Sequence, residues 1–570
     1  MKIGLISDTN IDILARMIQN DNNQYEIVSF PFAQVYQSLI SVSNNNIPNS
    51  CYINSSESGY KINKTGDNKL LDLLFLWTRA ESVINEFQKC LEFKEVDIDK
   101  ILNEVDEYSN LILEATNSCG NVFVMSWIKP LYHFGYGMSD NKFNFGISNI
   151  INKMNLRLSE NLSKSANIFI IDFQKFLYKC KNIYNHKMWY TTKTLYSLEL
   201  FKKVKEDIYS SINGLFGKSR RLIVVDLDNT LWGGILGDVG WEGIKIGGHD
   251  YIGEAFADFQ KALKSLTNRG ILLAICSKNY EKNALEAINK HPEMILKEED
   301  FATWRINWND KAQNIIDIAK DVNLGLSSIV FIDDNPAERN RVAEALPEVY
   351  VPEWPDEPIY YKEALLSLDC FNAPSVSKED RKRAKMFVQE RKRRELSKTL
   401  SHEEWLKSIE MEIEIEKLNS ANQTRTAQLL NKTNQFNLTT RRMSEKEFVD
   451  WANQPQNCML TFRVKDKFGD SGLTGVISYT IEDKKMKVVD FVMSCRVMGR
   501  DIEKLMLGQI IKIAQELKLE KVELTYRKTD RNQPILDFLN KSGLQKNNDT
   551  YIWKCNEDYK IPDYFNVKVL

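Results

Sequence analysis

The sequence predicts a multidomain α/β protein, and three observations predict it. The chain has 570 residues, too many for one hydrophobic core and in the range of about three or four domains. Continuous apolar runs stop abruptly at polar residues. Helix-like stretches lie between those runs, the alternation that parallel-sheet units require. The composition agrees: 43% hydrophobic and 27% charged, with 27 Phe, 22 Tyr and 11 Trp, is that of a folded chain. Lys plus Arg is 76 against 78 Asp plus Glu, a formal net charge of -2, so no non-specific affinity for nucleic acid or an anionic membrane is expected. The first apolar run is broken by Ser7 and Asp8, unlike a signal peptide, and no window reaches the ~18 apolar residues of a membrane span. Nine cysteines without a close CxxC pair and five histidines speak against a disulfide scaffold or a structural zinc. A reducing cytoplasm is the expected compartment.

Residues 1–215 open with the strand-like KIGLIS and continue with LLDLLFLW, NVFVMSW and ANIFIIDF. Helix-like stretches such as Ala80–Ser109 separate them, which predicts a doubly wound α/β domain, with Lys129–Asn167 as loop and a short helix. Residues 216–370 repeat the rhythm. RLIVVDLD, GILLAICS and SSIVFIDD are buried-strand candidates of the kind covered on both faces. Ligands collect beyond the carboxyl ends of such strands, where the three polar endings would meet. Residues 371–439 read as a helical linker and junction. SKEDRKRAKMFVQERKRRELSK is a basic helix candidate, and EEWLKSIEMEIEIEKLN begins helical but alternates strictly at Ile409, Met411, Ile413 and Ile415, which equally fits a strand. The basic stretch either ties two domains together or steers an acidic partner such as a carrier protein. Residues 440–570 mix the strands MLTFRVKD, LTGVISYTI and KKMKVVDFVM with a helix from about Asp501. Ile502, Leu505, Met506, Ile510 and Ile513 form its apolar stripe. KVELTYR and a helix within QPILDFLNKSGL complete an α+β domain.

The chemistry gathers at Asp226 and Asp228, which face the same side of an extended strand because side chains alternate. Converging carboxylates repel unless a cation or a proton lies between them. Oxygen ligands beside a substrate phosphate make Mg²⁺ the natural choice. Ser277 and Asn279 follow the second strand, Lys311 precedes apolar Ile315, Ile318 and Ala319, and Asp333 and Asp334 end the third. Together they offer a nucleophile, a metal cage, a hydroxyl donor and a fixed cation for phosphoryl oxygens. The glycines of LWGGILGDVGWEGIKIG suit tight turns or a short flap, with no room for a large cap domain. An open site of this kind can accept a phosphate carried on a large partner.

Asp226-Leu-Asp228-Asn-Thr230, Ser277, Lys311 and Asp333-Asp334 resemble the four motifs of the haloacid dehalogenase-like phosphotransferases. The resemblance implies that Asp226 attacks phosphorus to form an aspartyl phosphate, while Asp228 protonates the leaving group and later activates water. It also implies that Ser277 and Thr230 hold phosphoryl oxygens and that Lys311 neutralises charge. Asp333 would ligate Mg²⁺, with Asp334 a ligand or its orienter. Asp226 and Asp228 complete the expected metal set, and Asn279 is expected at the phosphate.

A wider resemblance covers residues 220–570. DLDNTLWGGILGD, SKN, HPEM, FIDDNPAERN, QLLNKTNQFNLTTRR and SCRVMGR are similar to the FkbH-like proteins. Those proteins load a glyceryl unit from 1,3-bisphosphoglycerate onto an acyl carrier protein in polyketide-type biosynthesis. The first region resembles an SGNH-hydrolase-like domain, with Ser7-Asp8-Thr9 in place of the usual Gly-Asp-Ser turn. His186 lacks the Asp-x-x-His context, so a degenerate, structural domain is expected. The last region resembles the GNAT acyltransferase fold. Its Arg496-Val-Met-Gly499-Arg500 turn would receive pyrophosphate oxygens at a helix start, and Asn532 begins its closing segment. Arg496 and Arg500 would contact the phosphates of coenzyme A or a phosphopantetheine arm, or else tie the turn to neighbouring acids. Cys495 is either a core residue or a relay thiol activated by Arg496 and the helix start; Cys276 reads as packing. Asn431, Lys432, Asn434, Gln435 and Asn437 either satisfy backbone groups at a junction or align a carrier arm. Thr439 and Thr440 favour a turn or strand approach, and Arg441 and Arg442 either pair internally or bind phosphate.

The expected function is therefore a cytoplasmic Mg²⁺-dependent enzyme with two partners. It would dephosphorylate a phosphorylated small-molecule donor of the phosphoglyceryl type and pass the acyl unit to an acyl carrier protein. A plain small-molecule phosphatase with an accessory acyltransferase-like domain, and a non-catalytic carrier-binding scaffold, are the alternatives.

Overall fold

A computed structural model describes residues 1–21, 25–51, 70–248, 250–374, 376, 386–393, 396, 400–441, 443, 445–529 and 531–570. The chain divides into two compact units, Met1–Ser219 with Asp369–Ser375, and Arg220–Leu368 with Val376–Leu570. It is a multidomain α/β protein, as the alternation predicts. No described helix is long and apolar enough to cross a membrane.

In the first unit β1 (Lys2–Ser7), β2 (Glu26–Ser29), β3 (Leu71–Trp77), β4 (Cys119–Met125) and β5 (Ile168–Ile171) form a parallel sheet in the order β2-β1-β3-β4-β5. Alternate residues feed two separate cores. Ile3, Leu5 and Phe75 cluster with α1 (Asp12–Asp21) and α4 (Leu198–Leu215). Ile6, Leu74 and Val124 cluster with α2 (Ile98–Ala115) and α3 (Ile147–Leu162). Helices on both faces explain why the strands read as unbroken apolar runs. Two departures from the sequence reading stand out. The interval Lys129–Asn167 holds the 16-residue α3 rather than a short helix, because Ile147, Ile150, Met154 and Leu158 form a buried stripe under an Asn- and Ser-rich outer face. The stretch Ala80–Ser109 is broken into Ala80–Val83, Asn85–Leu91 and α2.

The second unit contains two sheets. β6 (Leu222–Val225), β7 (Leu272–Ser277), β8 (Thr303–Ile306) and β9 (Ile329–Ile332) are parallel, in the order β8-β7-β6-β9. The helices that follow are α5 (Leu236–Gly243), α6 (Tyr251–Asn268), α7 (Glu281–Lys290), α8 (Lys311–Asp321) and α9 (Pro336–Ala345). Only α5, kinked at Gly240 with φ 69°, intervenes between β6 and α6, which is the short flap the glycines predict.

The terminal sheet has eight strands in the order β15-β16-β14-β13-β12-β11-β10-β17. These are β10 (Glu412–Lys417), β11 (Asn457–Asp466), β12 (Gly469–Glu482), β13 (Lys485–Met493), β14 (Lys521–Thr525), β15 (Gln545–Asn547), β16 (Thr550–Lys554) and β17 (Asn566–Val569). Helices α10 (Gln423–Lys432), α11 (Ile502–Glu516) and α12 (Gln533–Lys541) accompany it. Strand β10 comes from the region read as linker. Its alternation buries Ile413 and Ile415 and it pairs with β11 and β17, so the sheet begins well before residue 440. Of the basic helix candidate, residues 386–393 are helical; much of the rest lies outside the described residues. Its described arginines turn inward: Arg391 donates to the carbonyls of Glu298 and Phe301, and Arg393 forms a bidentate pair with Asp466 at 2.7 Å.

Candidate active site

Strand β6 is flanked by β7 and β9, so the residue after it emerges between the ends of both. Asp226 N donates to Ile332 O at 3.0 Å, which holds its side chain at the mouth. One carboxylate oxygen, Oδ2, lies 3.1 Å from Lys311 Nζ. The other, Oδ1, is buried and has no hydrogen-bond partner among the described residues. Lys311 opens α8 and also reaches Asp333 Oδ2 at 2.6 Å, while Asn335 N donates to Asp333 Oδ1 at 2.9 Å. Thr230, fully buried, donates from Oγ1 to Asp334 Oδ1 at 3.2 Å and accepts from Asp334 N at 3.0 Å. Ser277 closes β7 and is buried.

Single oxygens of Asp226, Asp333 and Asp334 lie within 4.8 Å of one another. Asp228, expected with them, is not in this group. Its Oδ1 accepts from Trp232 Nε1 at 2.9 Å and Leu236 N at 3.1 Å, and its Oδ2 accepts from Asn279 Nδ2 at 3.0 Å. Three donors therefore aim Asp228 apart from the cluster, and Asn279 holds a carboxylate.

The electrostatics report a shortage of positive charge. Burial, with Asp226 adding to it, pushes the Asp333 carboxyl up to about 7 against the pull of Lys311. Asp334 rises for the same two reasons. Burial raises Asp228 as well, offset in part by Leu236 N and Trp232 and reinforced by Asp226. Burial would lower Lys311, but Asp226 and Asp333 outweigh it and hold the ammonium above its usual range. One lysine does not balance two buried carboxylates, Asp226 and Asp333, and the half-buried Asp334 beside them. The partnerless Oδ1 of Asp226 and the converging oxygens fit a hard divalent cation such as Mg²⁺.

The chain is matched by no family model and by no curated protein. It is similar to the solved N-terminal part of the protein BF1531 from Bacteroides fragilis, which contains a phosphatase domain and is complexed with Mg. The identity is 28% and the TM-score 0.56, over 66% of this chain and 94% of that one. Two acetyltransferases also match over 25% of this chain. They are the ribosomal-protein-S18-alanine N-acetyltransferase of Escherichia coli, at 9% identity, TM-score 0.20 and 90% of its own chain, and the spermidine N-acetyltransferase of Vibrio cholerae with CoA and spermine, at 10%, 0.21 and 96%. Scores this low decide nothing about the terminal domain, which is described by its own geometry.

That geometry separates the remaining expected residues. The backbone of Cys495 lies in the turn Cys495–Val497 after β13; its side chain lies outside the described set. Arg496 lines a cavity of about 250 Å³ together with Arg425 and Arg463. Gly499 takes φ 76° with open space where a Cβ would stand. Arg500, expected at a phosphate, is instead buried. Its guanidinium pairs with Glu390 at 2.7 Å and Asp466 at 3.1 Å and donates to Arg496 O at 2.6 Å. Asn532, also fully buried, accepts from Tyr526 Oη and Thr529 N and donates to the carbonyls of Asn437 and Arg527, leaving it no capacity for a ligand. Asp501 and Glu503 stand at the start of α11, so that helix end already has acidic neighbours.

The amide-rich segment is tied internally too. Asn431 exchanges hydrogen bonds with the Met443 backbone, Asn437 bonds Thr433 O and Thr440 N, Thr439 bonds Val489 O, and Arg441 pairs with Asp490 at 2.5 Å. Arg442 and the Lys432 side chain lie outside the described residues. In the first unit Ser7 Oγ bonds Thr9 rather than a base, and Asp8 pairs with Arg79 at 2.7 Å. Cys276 is fully buried, and burial pushes its thiol up to about 12, as a packing role requires. Sequence reasoning missed Trp232, which clamps Asp228, and Arg339, whose Nη1 bonds the carbonyls of Asp333 and Asp334 at 2.7 Å. The Trp in LWGG and the Arg in NPAERN, one helical turn past the acid pair, were the available signals.

Proposed function

We propose that this chain is a Mg²⁺-dependent, haloacid dehalogenase-like phosphotransferase. It would take an activated phosphoglyceryl donor and deliver the glyceryl unit to the thiol of an acyl carrier protein. The buried, partnerless Oδ1 of Asp226 beside Lys311 carries the phosphoryl half of this reading. Likeness to a phosphatase domain complexed with Mg supports it. A carboxylate oxygen of Asp226 bonds to phosphorus while the bond to the leaving oxygen breaks and Asp228 supplies its proton. Water then attacks phosphorus, its proton passes to Asp228, and phosphate departs from Asp226. Asn279, Trp232 and Leu236 N hold Asp228 for both transfers; Thr230, whose buried hydroxyl is engaged by Asp334 and not by the phosphate the resemblance implied, fixes Asp334; Ser277 meets phosphoryl oxygens, and Lys311 balances their charge. Mg²⁺, held by Asp226, Asp333 and Asp334, would supply electrostatic stabilisation of the transferring phosphoryl group.

Acyl transfer is assigned to the terminal domain. Asp226 would act on the donor's phosphate ester, while the Cys495 thiolate would attack the acyl carbon of the mixed anhydride, forming a thioester as that carbon–oxygen bond breaks and its phosphate leaves. The carrier thiol would then displace Cys495, and the turn with Arg496 and Gly499 would receive a phosphopantetheine arm or coenzyme A. A plain phosphatase is the second reading, favoured by the internal bonds of Arg500 and Asn532. Intact mass after incubation with 1,3-bisphosphoglycerate, Mg²⁺ and a phosphopantetheinylated carrier separates the two. A glyceryl adduct on the carrier, lost in Cys495→Ala, is the expected result. Phosphate release without an adduct selects the second reading, and neither product overturns both.

A further inference from the structure

The loops that deliver Asn279, Ser277 and Lys311 also carry two exposed aromatic rings that the chemistry at Asp226 does not use. Tyr280 follows Asn279 directly, and its backbone N donates to the Asn279 side chain, whose Nδ2 holds Asp228. Trp308 lies on the loop between β8 and α8, one residue after Asn307, whose N donates to Ser277 O at 3.1 Å. The same loop ends at Lys311. The two rings therefore rise from the loops that deliver Asn279, Ser277 and Lys311, at the carboxyl ends of β7 and β8. They meet edge to face at 5.8 Å and 71°, and each side chain remains 63% exposed. On the flap, Ile235 and Val239 are 50% and 47% exposed, and α5 packs against α7, the helix that begins beside Tyr280.

Large exposed apolar side chains gathered together mark a place where something else is covered. An edge-to-face pair leaves ring surface available for stacking, and planar groups stack on such surfaces. We propose that Tyr280 and Trp308 form a leaving-group subsite that selects phosphate compounds whose leaving group is planar and apolar. This inference rests on the second reading, a plain phosphatase acting through Asp226, because a glyceryl donor offers no planar apolar leaving group to the rings.

The test compares 4-nitrophenyl phosphate with acetyl phosphate, with Mg²⁺ present, in the full-length chain. The readout is the ratio of the two kcat/KM values, which cancels changes common to both substrates. Tyr280→Ala and Trp308→Ala should each lower that ratio roughly tenfold, the size of one stacking contact, mainly through KM for the aryl compound. Tyr280→Phe and Trp308→Phe keep a ring and should restore most of it. Tyr178→Ala, an exposed aromatic of the first unit, serves as control and should leave the ratio alone. An unchanged ratio in both alanine variants, or an equal loss on both substrates, overturns the subsite while leaving the Asp226 reading in place. Absence of turnover of either compound by the unaltered chain overturns both.

Discussion

Lys311 is the hinge of the electrostatic argument at the residue scale. Buried between Asp226 and Asp333, it is the cation that lets those carboxylates share one small volume. Lys311→Met should destabilise the metal-free second unit by about 3–5 kcal/mol, the cost of leaving buried charge uncompensated. Added Mg²⁺ should recover part of the loss in a denaturant titration, and an unaltered stability would remove Lys311 from the centre. Asp226→Asn is nearly isosteric and should lower phosphate release by roughly 10³-fold or more with the fold retained; measurable turnover close to the parent would exclude its nucleophilic role. Asp226, Asp228, Lys311, Asp333 and Asp334 were legible because each sits at the end of an apolar run or the start of a helix, whereas Thr230 was named only through the resemblance to the phosphotransferase motif. The burial of Arg500 was not legible. Its partners Glu390 and Asp466 are 110 and 34 positions away in sequence, and no local spacing encodes such a meeting.

Strands and helices were readable where burial is continuous and unreadable where it is not. Strands β6, β7 and β9 stand out because every residue in them is buried. Strand β8 is four residues with Arg305 in the middle, and β15 is exposed throughout, so neither carries an apolar signature. Helix α3 owes its start to a residue outside it. Asp140 is buried, accepts from Tyr136 N, Ile147 N and Ser148 Oγ, and pairs with Lys129 at 2.6 Å. Burial alone would raise its carboxyl, but Lys129, Ser148 and Tyr136 N hold it well below the usual range. A depressed folded value means that the contribution is fully present above the unfolded pKa near ~3.9. It is lost as pH falls from there toward the folded value. Asp140→Asn should therefore cost about 2–3 kcal/mol at neutral pH, and the gap to the parent should shrink below pH ~3.9 in chemical unfolding. A gap that persists at low pH would show that the carboxylate charge is not what matters.

The whole molecule consists of two compact units, and calorimetry of the full chain should resolve two transitions. Within the second unit, the Asp466 side chain is fully buried and holds both Arg393 and Arg500. Asp466→Asn should lower that unit's transition, at a cost of about 3–5 kcal/mol, and leave the other where it was. Movement of both transitions together would mean that the units unfold as one. The division has a further consequence for phosphoryl chemistry. Among the described residues, the groups gathered at Asp226 descend from loops of the β6–β9 sheet, between Asp226 and Arg339, and none from the eight-stranded sheet. Substitutions confined to β10–β17 should therefore leave the proposed phosphate release at Asp226 unchanged, so that this step can be assayed separately from the fate of the acyl unit.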